Sequence, residues 1–294
     1  PLHFGSLVCA LASFLHAKIH QGKWLVRIED IDTPRINPNI SPVILNSLSA
    51  HGLKWDGEVF YQSKRHSEYQ GVLSQLKENK RLYACQCSRK QIKARSGFYD
   101  RHCRELGLAF TDRAIRFKQR TSFASFNDLF WGEQKITHPI AHEDPVLKRA
   151  DGIYAYHLAV VTDDIAQNVT HIVRGLDLLD TTPVHLSLYD ALGATAPSYL
   201  HIPVIAQKPN QKLSKQHHSP AIDDNKALDN LILALQYLGM AKQKIPNFQS
   251  IQSCLDWAIA HWSANLLVKQ SEILISVTND VYSAYQSNNN EPTK

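Results

Sequence analysis

Long apolar runs are missing from this chain of 294 residues, and none approaches the ~18 residues a helix needs to span a bilayer. The one stretch with a leader-like look, residues 7–19, carries Lys18 and runs on into a strand pattern, so it reads as an amphipathic helix. Methionine is almost absent: Met240 is the only one, and the sequence opens without an initiator. Cysteine is scarce at five residues. With no secretory leader, that points to reducing, cytoplasmic surroundings, where clustered cysteines are ligands rather than bridges. A strong charge imbalance is missing too. Thirty-two Lys and Arg against 27 Asp and Glu leave +5, which permits a nucleic-acid partner without demanding one. No segment repeats internally, which removes stacked-repeat architectures.

What is there is an ordinary globular composition, 44% hydrophobic and 20% charged, with length for one large or two to three small domains. Apolar residues recur at helical spacing over 5–20, and Gly22 supplies a C-cap. Trp24-Leu25-Val26-Arg27-Ile28 reads as a buried strand that runs into Glu29-Asp30-Ile31-Asp32. Helices follow after Asn37, with Pro38 at the first position and an end near Gly52, and again over 63–79. This alternation predicts an α/β fold, a Rossmann-like parallel-sheet domain built from residues 1–80 and 143–206. Between 81 and 142 the texture changes to an insertion with its own small core. It holds three of the five cysteines, a short helix opened by a Ser88–Gln91 capping box, and a strand at 114–117. Strands at 146–149, 170–174 and 202–206 and a helix at 182–192 complete the alternation. Residues 207–294 read as a lysine loop, helices at 226–238, 250–262 and 264–276, and a polar tail at 287–290.

Two short strings bracket this frame. In His3-Phe4-Gly5-Ser6 an imidazole sits at a helix mouth, where exposed N–H groups add positive potential suited to phosphate oxygens. Gly5 removes a side chain where a flat base has to approach the backbone. Lys212-Leu213-Ser214-Lys215 sets two ammonium groups where they can stabilise charge building on a phosphoryl group. Each string alone reads first as a capped surface helix or a solvated basic turn. As an ordered pair on an α/β frame, they resemble the two ATP-handling signatures of class I aminoacyl-tRNA synthetases. Three blocks between them resemble those of glutamyl-tRNA synthetases: the stretches at 27–35 (RIEDIDTPR), 156–164 (YHLAVVTDD) and 171–175 (HIVRG). The likeness covers residue 1 to about residue 220.

That resemblance implies ATP contacts from His3, Gly5, Ser6, Lys212, Ser214 and Lys215, with His3 and Lys215 catalytic. It implies that Glu29 contacts the glutamate ammonium, that Tyr156 lines the amino-acid pocket and that Arg174 grips the side-chain carboxylate. The residue chemistry agrees, because a carboxylate at a strand's carboxyl end suits a cation and an Arg fork matches a carboxylate. Taken singly, the three are also a helix-capping acid, a core tyrosine and a surface ion-pair partner. Ser6 stands where the general class motif has a second His. The family's lead-in strand, whose Arg and Ser hold glutamate, would precede residue 1.

Cys85-x-Cys87 followed by Cys103 offers three thiolates to one tetrahedral zinc. A Cys85–Cys87 disulfide would be strained. On donor chemistry alone His102 is the natural fourth ligand. The spacing C-x-C-x(11)-Y-x(3)-C, however, is similar to the zinc pattern of glutamyl-Q tRNA(Asp) synthetases, in which the ligand is Tyr, so the expected set is Cys85, Cys87, Tyr99 and Cys103 around one structural Zn²⁺. About 79 residues follow Lys215, fewer than a glutamyl-tRNA synthetase uses for its anticodon-binding region, which fits the same short branch. The resemblance therefore implies ATP-dependent glutamate activation, with Mg²⁺ on the phosphates, and transfer to the queuosine base of tRNA(Asp). ATP, L-glutamate and that tRNA are the expected partners, with no membrane and no DNA. A shortened synthetase acylating a tRNA 3′ end, and a non-catalytic paralogue binding tRNA or nucleotide, are the competing readings.

Overall fold

The helix expected at the start of the chain forms as α1 (Phe4–Ile19) and lies at the centre of the main core. Phe4, Leu7, Leu11 and Leu15 are each fully buried, and Val8, Ala12 and Phe14 extend the apolar surface beyond one stripe. A helix apolar on several sides is packed on several sides. The computed structural model describes residues 1–32, 37, 39–119, 123, 125–213, 219–278 and 281–283. Ser214 and Lys215, expected in the ATP site, and the polar tail at 287–290 lie outside them.

The chain continues through β1 (Arg27–Ile28), α2 (Ile40–Ala50), β2 (Phe60–Tyr61) and α3 (His66–Glu78). β1 and β2 pair in parallel, Arg27 opposite Phe60. Next come β3 (Leu82–Cys85), α4 (Arg89–Arg95), β4 (Ala114–Phe117), the hairpin β5 (Ser125–Asp128) and β6 (Gly132–Lys135), and β7 (Val146–Lys148). The Ser88–Gln91 capping box closes at the mouth of α4, with both reciprocal bonds made. Strands β3, β4 and β7 form an antiparallel sheet, so the insertion's sheet is completed by a strand beyond residue 142.

The second half alternates α5 (Tyr156–Ala166), β8 (His171–Gly175), α6 (Thr182–Ala191), β9 (Ser198–Ile202), β10 (Val204–Lys208) and β11 (Gln211–Lys212). β8 and β9 run parallel in register from His171–Ser198 to Gly175–Ile202, and β5 joins β9 in parallel. The apolar run at 202–206, expected as one strand, is two. Pro203 has no N–H to give a ladder, so the chain breaks there and β9 and β10 enter different sheets.

Helices α7 (Ala227–Tyr237) and α8 (Ile251–His261) follow and pack against α1. The helix expected at 264–276 does not form. One 3₁₀ turn (Ala264–Leu266) gives way to β12 (Glu272–Leu274), which pairs in parallel with β10, Ile273 opposite Ile205. Val204 N–H donates to Ser271 O at 3.0 Å and Ile275 N–H to Ala206 O at 2.9 Å. The hairpin of β13 (Ser276–Thr278) and β14 (Val281–Ser283) ends the described chain. A second core joins α3, α5 and α6 through Tyr69, Leu76, Leu158 and Leu188, and a third, in the insertion, gathers Tyr83, Cys85, Tyr99 and Cys103. No helix among the described residues is long and apolar enough to cross a membrane.

Candidate active site

The first string caps α1. His3 takes extended backbone before the helix, and its Nδ1 accepts the Ser6 N–H at 3.2 Å while the Ser6 hydroxyl lies 3.1 Å from Nε2. The imidazole expected to meet phosphate is thus also the N-cap of α1. A Cβ on Gly5 would meet the His3 ring at 3.4 Å and Ile205 at 3.6 Å, ordinary contacts, so packing alone does not demand glycine there.

His3, Gly5 and Ser6 line a cavity of about 380 Å³ whose far wall carries Gly175, Asp177 and Lys212. The two strings, two hundred residues apart in sequence, thus meet across one space. Lys212 Nζ is held 2.6 Å from Asp177 Oδ2. Gly175, at the carboxyl end of β8, leaves room for the Asp177 carboxylate, because a Cβ there would lie 2.5 Å from Asp177 Oδ1 and push that side chain aside.

Of the three residues expected around glutamate, Glu29 follows β1, Tyr156 opens α5 and Arg174 sits near the end of β8. Tyr156 lies within electrostatic reach of both the Arg174 guanidinium and Glu29, so the structure brings the three into one neighbourhood. Burial raises the Tyr156 phenol. Glu29 lies in a separate cleft of about 1,030 Å³, its side chain 42% exposed. Crowding by protein, with Asp164 and Asp163 nearby, raises its carboxyl, although Arg27 at 3.5 Å opposes the rise.

Arg174 is 7% exposed and densely met. Its Nε donates to His201 Nε2 at 3.0 Å and its Nη2 to Thr182 Oγ1 at 2.8 Å and Leu178 O at 3.2 Å, while Nη1 lies 3.2 Å from His185 Nδ1. His201 Nδ1 in turn lies 2.7 Å from Asp128 Oδ2. None of Asp128, Thr182, His185 or His201 was singled out by the sequence motifs, since they come from three separate elements, β5, α6 and β9, that only the fold joins. A second hub was closer to view. Asp163 and Asp164 are adjacent acids in an otherwise apolar stretch, and both are buried. Asp163 accepts from Arg65 Nε at 2.7 Å, Tyr69 OH at 2.8 Å and Gln62 Nε2 at 3.1 Å; Asp164 pairs with Arg27 at 2.8 Å.

In the insertion, the Sγ atoms of Cys85, Cys87 and Cys103 all lie within 4.8 Å of one another, with 3.4 Å between Cys87 and Cys103. Sulfurs sharing a tetrahedral zinc at about 2.3 Å sit roughly 3.8 Å apart, so the three thiols fit such an ion. Tyr99 is buried, its hydroxyl accepting the Cys103 N–H at 3.0 Å and hydrogen-bonding the Cys85 sulfur. His102 is exposed. Burial opposes ionisation of Cys85, but its hydrogen bonds with Tyr99 and the Cys87 amide, with the Arg116 guanidinium, lower its thiol overall. Cys254 is buried in the main core and Cys9 donates to Val173 O at 3.8 Å, both as packing residues.

Parallel strands, a capped helix mouth and a lysine strand facing it define the catalytic unit of a class I aminoacyl-tRNA synthetase, and comparison agrees: the family of class I tRNA synthetases (E and Q), catalytic domain, matches residues 1–258. The fold is similar to a glutamate tRNA ligase from Elizabethkingia meningosepticum solved in complex with its amino acid. That likeness has a TM-score of 0.72 at 23% identity and covers 92% of this chain and 64% of that one. Closer in sequence are glutamyl-Q tRNA(Asp) synthetases. One from Photobacterium profundum is 44% identical over 95% of this chain and 90% of its own length, and one from Idiomarina loihiensis 46% identical over 89% and 93%. The chain belongs to the glutamyl-Q tRNA(Asp) synthetase family.

Proposed function

We propose that the chain activates L-glutamate with MgATP and transfers the glutamyl group to the queuosine base in the anticodon loop of tRNA(Asp), as a cytoplasmic tRNA-modifying enzyme. The observation that carries this reading is the nearly end-to-end overlap with relatives of that name. The meeting of His3, Gly5, Ser6 and Lys212 on one cavity supports it.

The chemistry runs in two steps. A glutamate α-carboxylate oxygen attacks the α-phosphorus of ATP, the bond to the bridging oxygen of the β-phosphate breaks, and pyrophosphate leaves. His3, the amides at the mouth of α1 and Lys212 stabilise the charge on the phosphoryl oxygens, and Lys215 joins them from the same string. A hydroxyl of the modified base then attacks the activated carbonyl and AMP leaves. Glu29 holds the substrate ammonium, Tyr156 lines the pocket and Arg174 reads the side-chain carboxylate. Cys85, Cys87, Tyr99 and Cys103 would hold one Zn²⁺, which would clamp the insertion and take no part in either step.

Two assays on the full protein test this. Glutamate-dependent ATP–pyrophosphate exchange is expected. Labelled glutamate is expected on tRNA(Asp) carrying queuosine and not on tRNA(Asp) lacking it, with nuclease digestion returning the label in the anticodon-loop fragment. No exchange, or label on the 3′-terminal adenosine, refutes the reading.

A further inference from the structure

A second group of metal-ligating side chains lies apart from the cysteine cluster, on the cleft that also holds Glu29. His16 stands in the last turn of α1, His20 one turn on ends that helix, and His171 opens β8. Their ring nitrogens include one from each residue such that all three lie within 4.8 Å of one another. The rings of His16 and His20 are 4.7 Å apart, and those of His20 and His171 stack at 5.3 Å with 16° between planes. His16 is 5% exposed, and neither of its ring nitrogens has a hydrogen-bond partner. A buried imidazole kept as packing is normally satisfied, because an unmet buried polar group costs about 1–3 kcal/mol. Here the unmet nitrogens belong to a cluster with two other imidazoles, both exposed at the edge of the 1,030 Å³ cleft.

We propose that His16, His20 and His171 form a binding site for a divalent transition-metal ion, with Zn²⁺ as the occupant suited to three neutral imidazoles. Nitrogens bound to zinc at about 2.0–2.1 Å sit roughly 3.4 Å apart, and His20 and His171, being exposed, have room to turn their rings inward by that much. His171 Nδ1 lies 3.1 Å from the Thr170 hydroxyl, which orients the ring and leaves Nε2 as the ligand when Nδ1 carries the proton. The same cleft carries the carboxylates of Glu29, Asp56, Glu58 and Asp164 along with the cations Lys23 and Arg27. An ion bound here would tie the end of α1 to the start of β8, the two elements whose opposite ends carry His3 and Arg174.

The test counts metal on the full protein. After stripping with a chelator and reloading with Zn²⁺, gel filtration removes loose ions and the retained zinc is counted per chain. The His20→Ala, His171→Ala double variant is expected to hold one equivalent fewer than the parent, and its melting temperature no longer rises with Zn²⁺ through that site. Under Co²⁺ it is expected to keep the thiolate charge-transfer band of the cysteine cluster. Cys85→Ser is expected to lose that band and keep the histidine equivalent, so the two sites fail separately. A His20→Gln, His171→Gln pair, which preserves side-chain bulk, guards against loss through misfolding. Equal zinc counts in the parent and both double variants would overturn the proposal, whatever the cysteine cluster or the tRNA reaction does.

Discussion

Arg174 engages its surroundings with nearly all of its five donors, and this fixes the protonation of its neighbours. Because Nε donates to His201 Nε2, the His201 proton sits on Nδ1 and points at Asp128. Because Nη1 donates to His185 Nδ1, the His185 proton sits on Nε2, 3.0 Å from His157 Nδ1. The guanidinium is thus held in one orientation by two imidazoles, a hydroxyl and a carbonyl, and a two-pronged grip on a carboxylate would mean exchanging at least one of those partners. The sequence block around Arg174 made the residue visible; what makes it rigid was hidden, because Asp128, Thr182, His185 and His201 have no common spacing. A lysine keeps the charge and loses the fork. Arg174→Lys is therefore expected to raise KM for glutamate about 10- to 100-fold, the loss of one charge-assisted hydrogen bond at about 1.5–3 kcal/mol, while KM for ATP moves little. Pyrophosphate exchange at varied glutamate and at varied ATP checks this, and parallel shifts in both constants would mark a purely structural role.

At the scale of elements, the insertion shows how a few residues hold a small sheet. Strands β3 and β4 are only four residues each, and the cluster of Tyr83, Cys85, Tyr99 and Cys103 closes one end, with the Arg116 guanidinium 3.5 Å above the Tyr99 ring. Tyr99→Phe, which removes the phenol oxygen and keeps the ring, is expected to lower zinc retention under chelator challenge, whereas His102→Ala leaves it unchanged. Hydrogen exchange in β3 and α4 should quicken in the first variant only; the reverse pattern would make His102 the ligand. The capping box of α4 and the strand at 114–117 were legible in the sequence because their signals are local: a Ser-x-x-Gln spacing and an Ala-Ile-Arg-Phe run. The segment at 264–276 was not. Its apolar residues fall in two clusters, Leu266-Leu267-Val268 and Ile273-Leu274-Ile275, which fit a helical period as well as a strand. The open edge of β10 decides between them, and that edge is a fact of tertiary structure.

Across the whole molecule, burying several histidines around a permanent cation makes stability depend on pH in a direction that can be worked out. Burial, then the Arg174 charge, pushes His157 down to about 4. Burial, then His157 and Arg174, holds His185 well below its ordinary value. Burial also lowers His201, with Asp128 pulling the other way. All three are neutral in the folded chain and take up protons near pH 6.5 once it unfolds. Their contribution is therefore complete above about pH 6.5 and is lost as pH falls from there, down to about 4 for His157, by up to about 1.4 kcal/mol per pH unit for each proton taken up. The melting temperature is expected to be flat between pH 7 and 8 and to fall steadily between 6.5 and 4. His157→Gln, which cannot titrate, should flatten that fall relative to the parent. A parent melting temperature unchanged from pH 7 to 5, or a variant with the parent's slope, would show that the histidines around Arg174 do not set the acid limit of the fold.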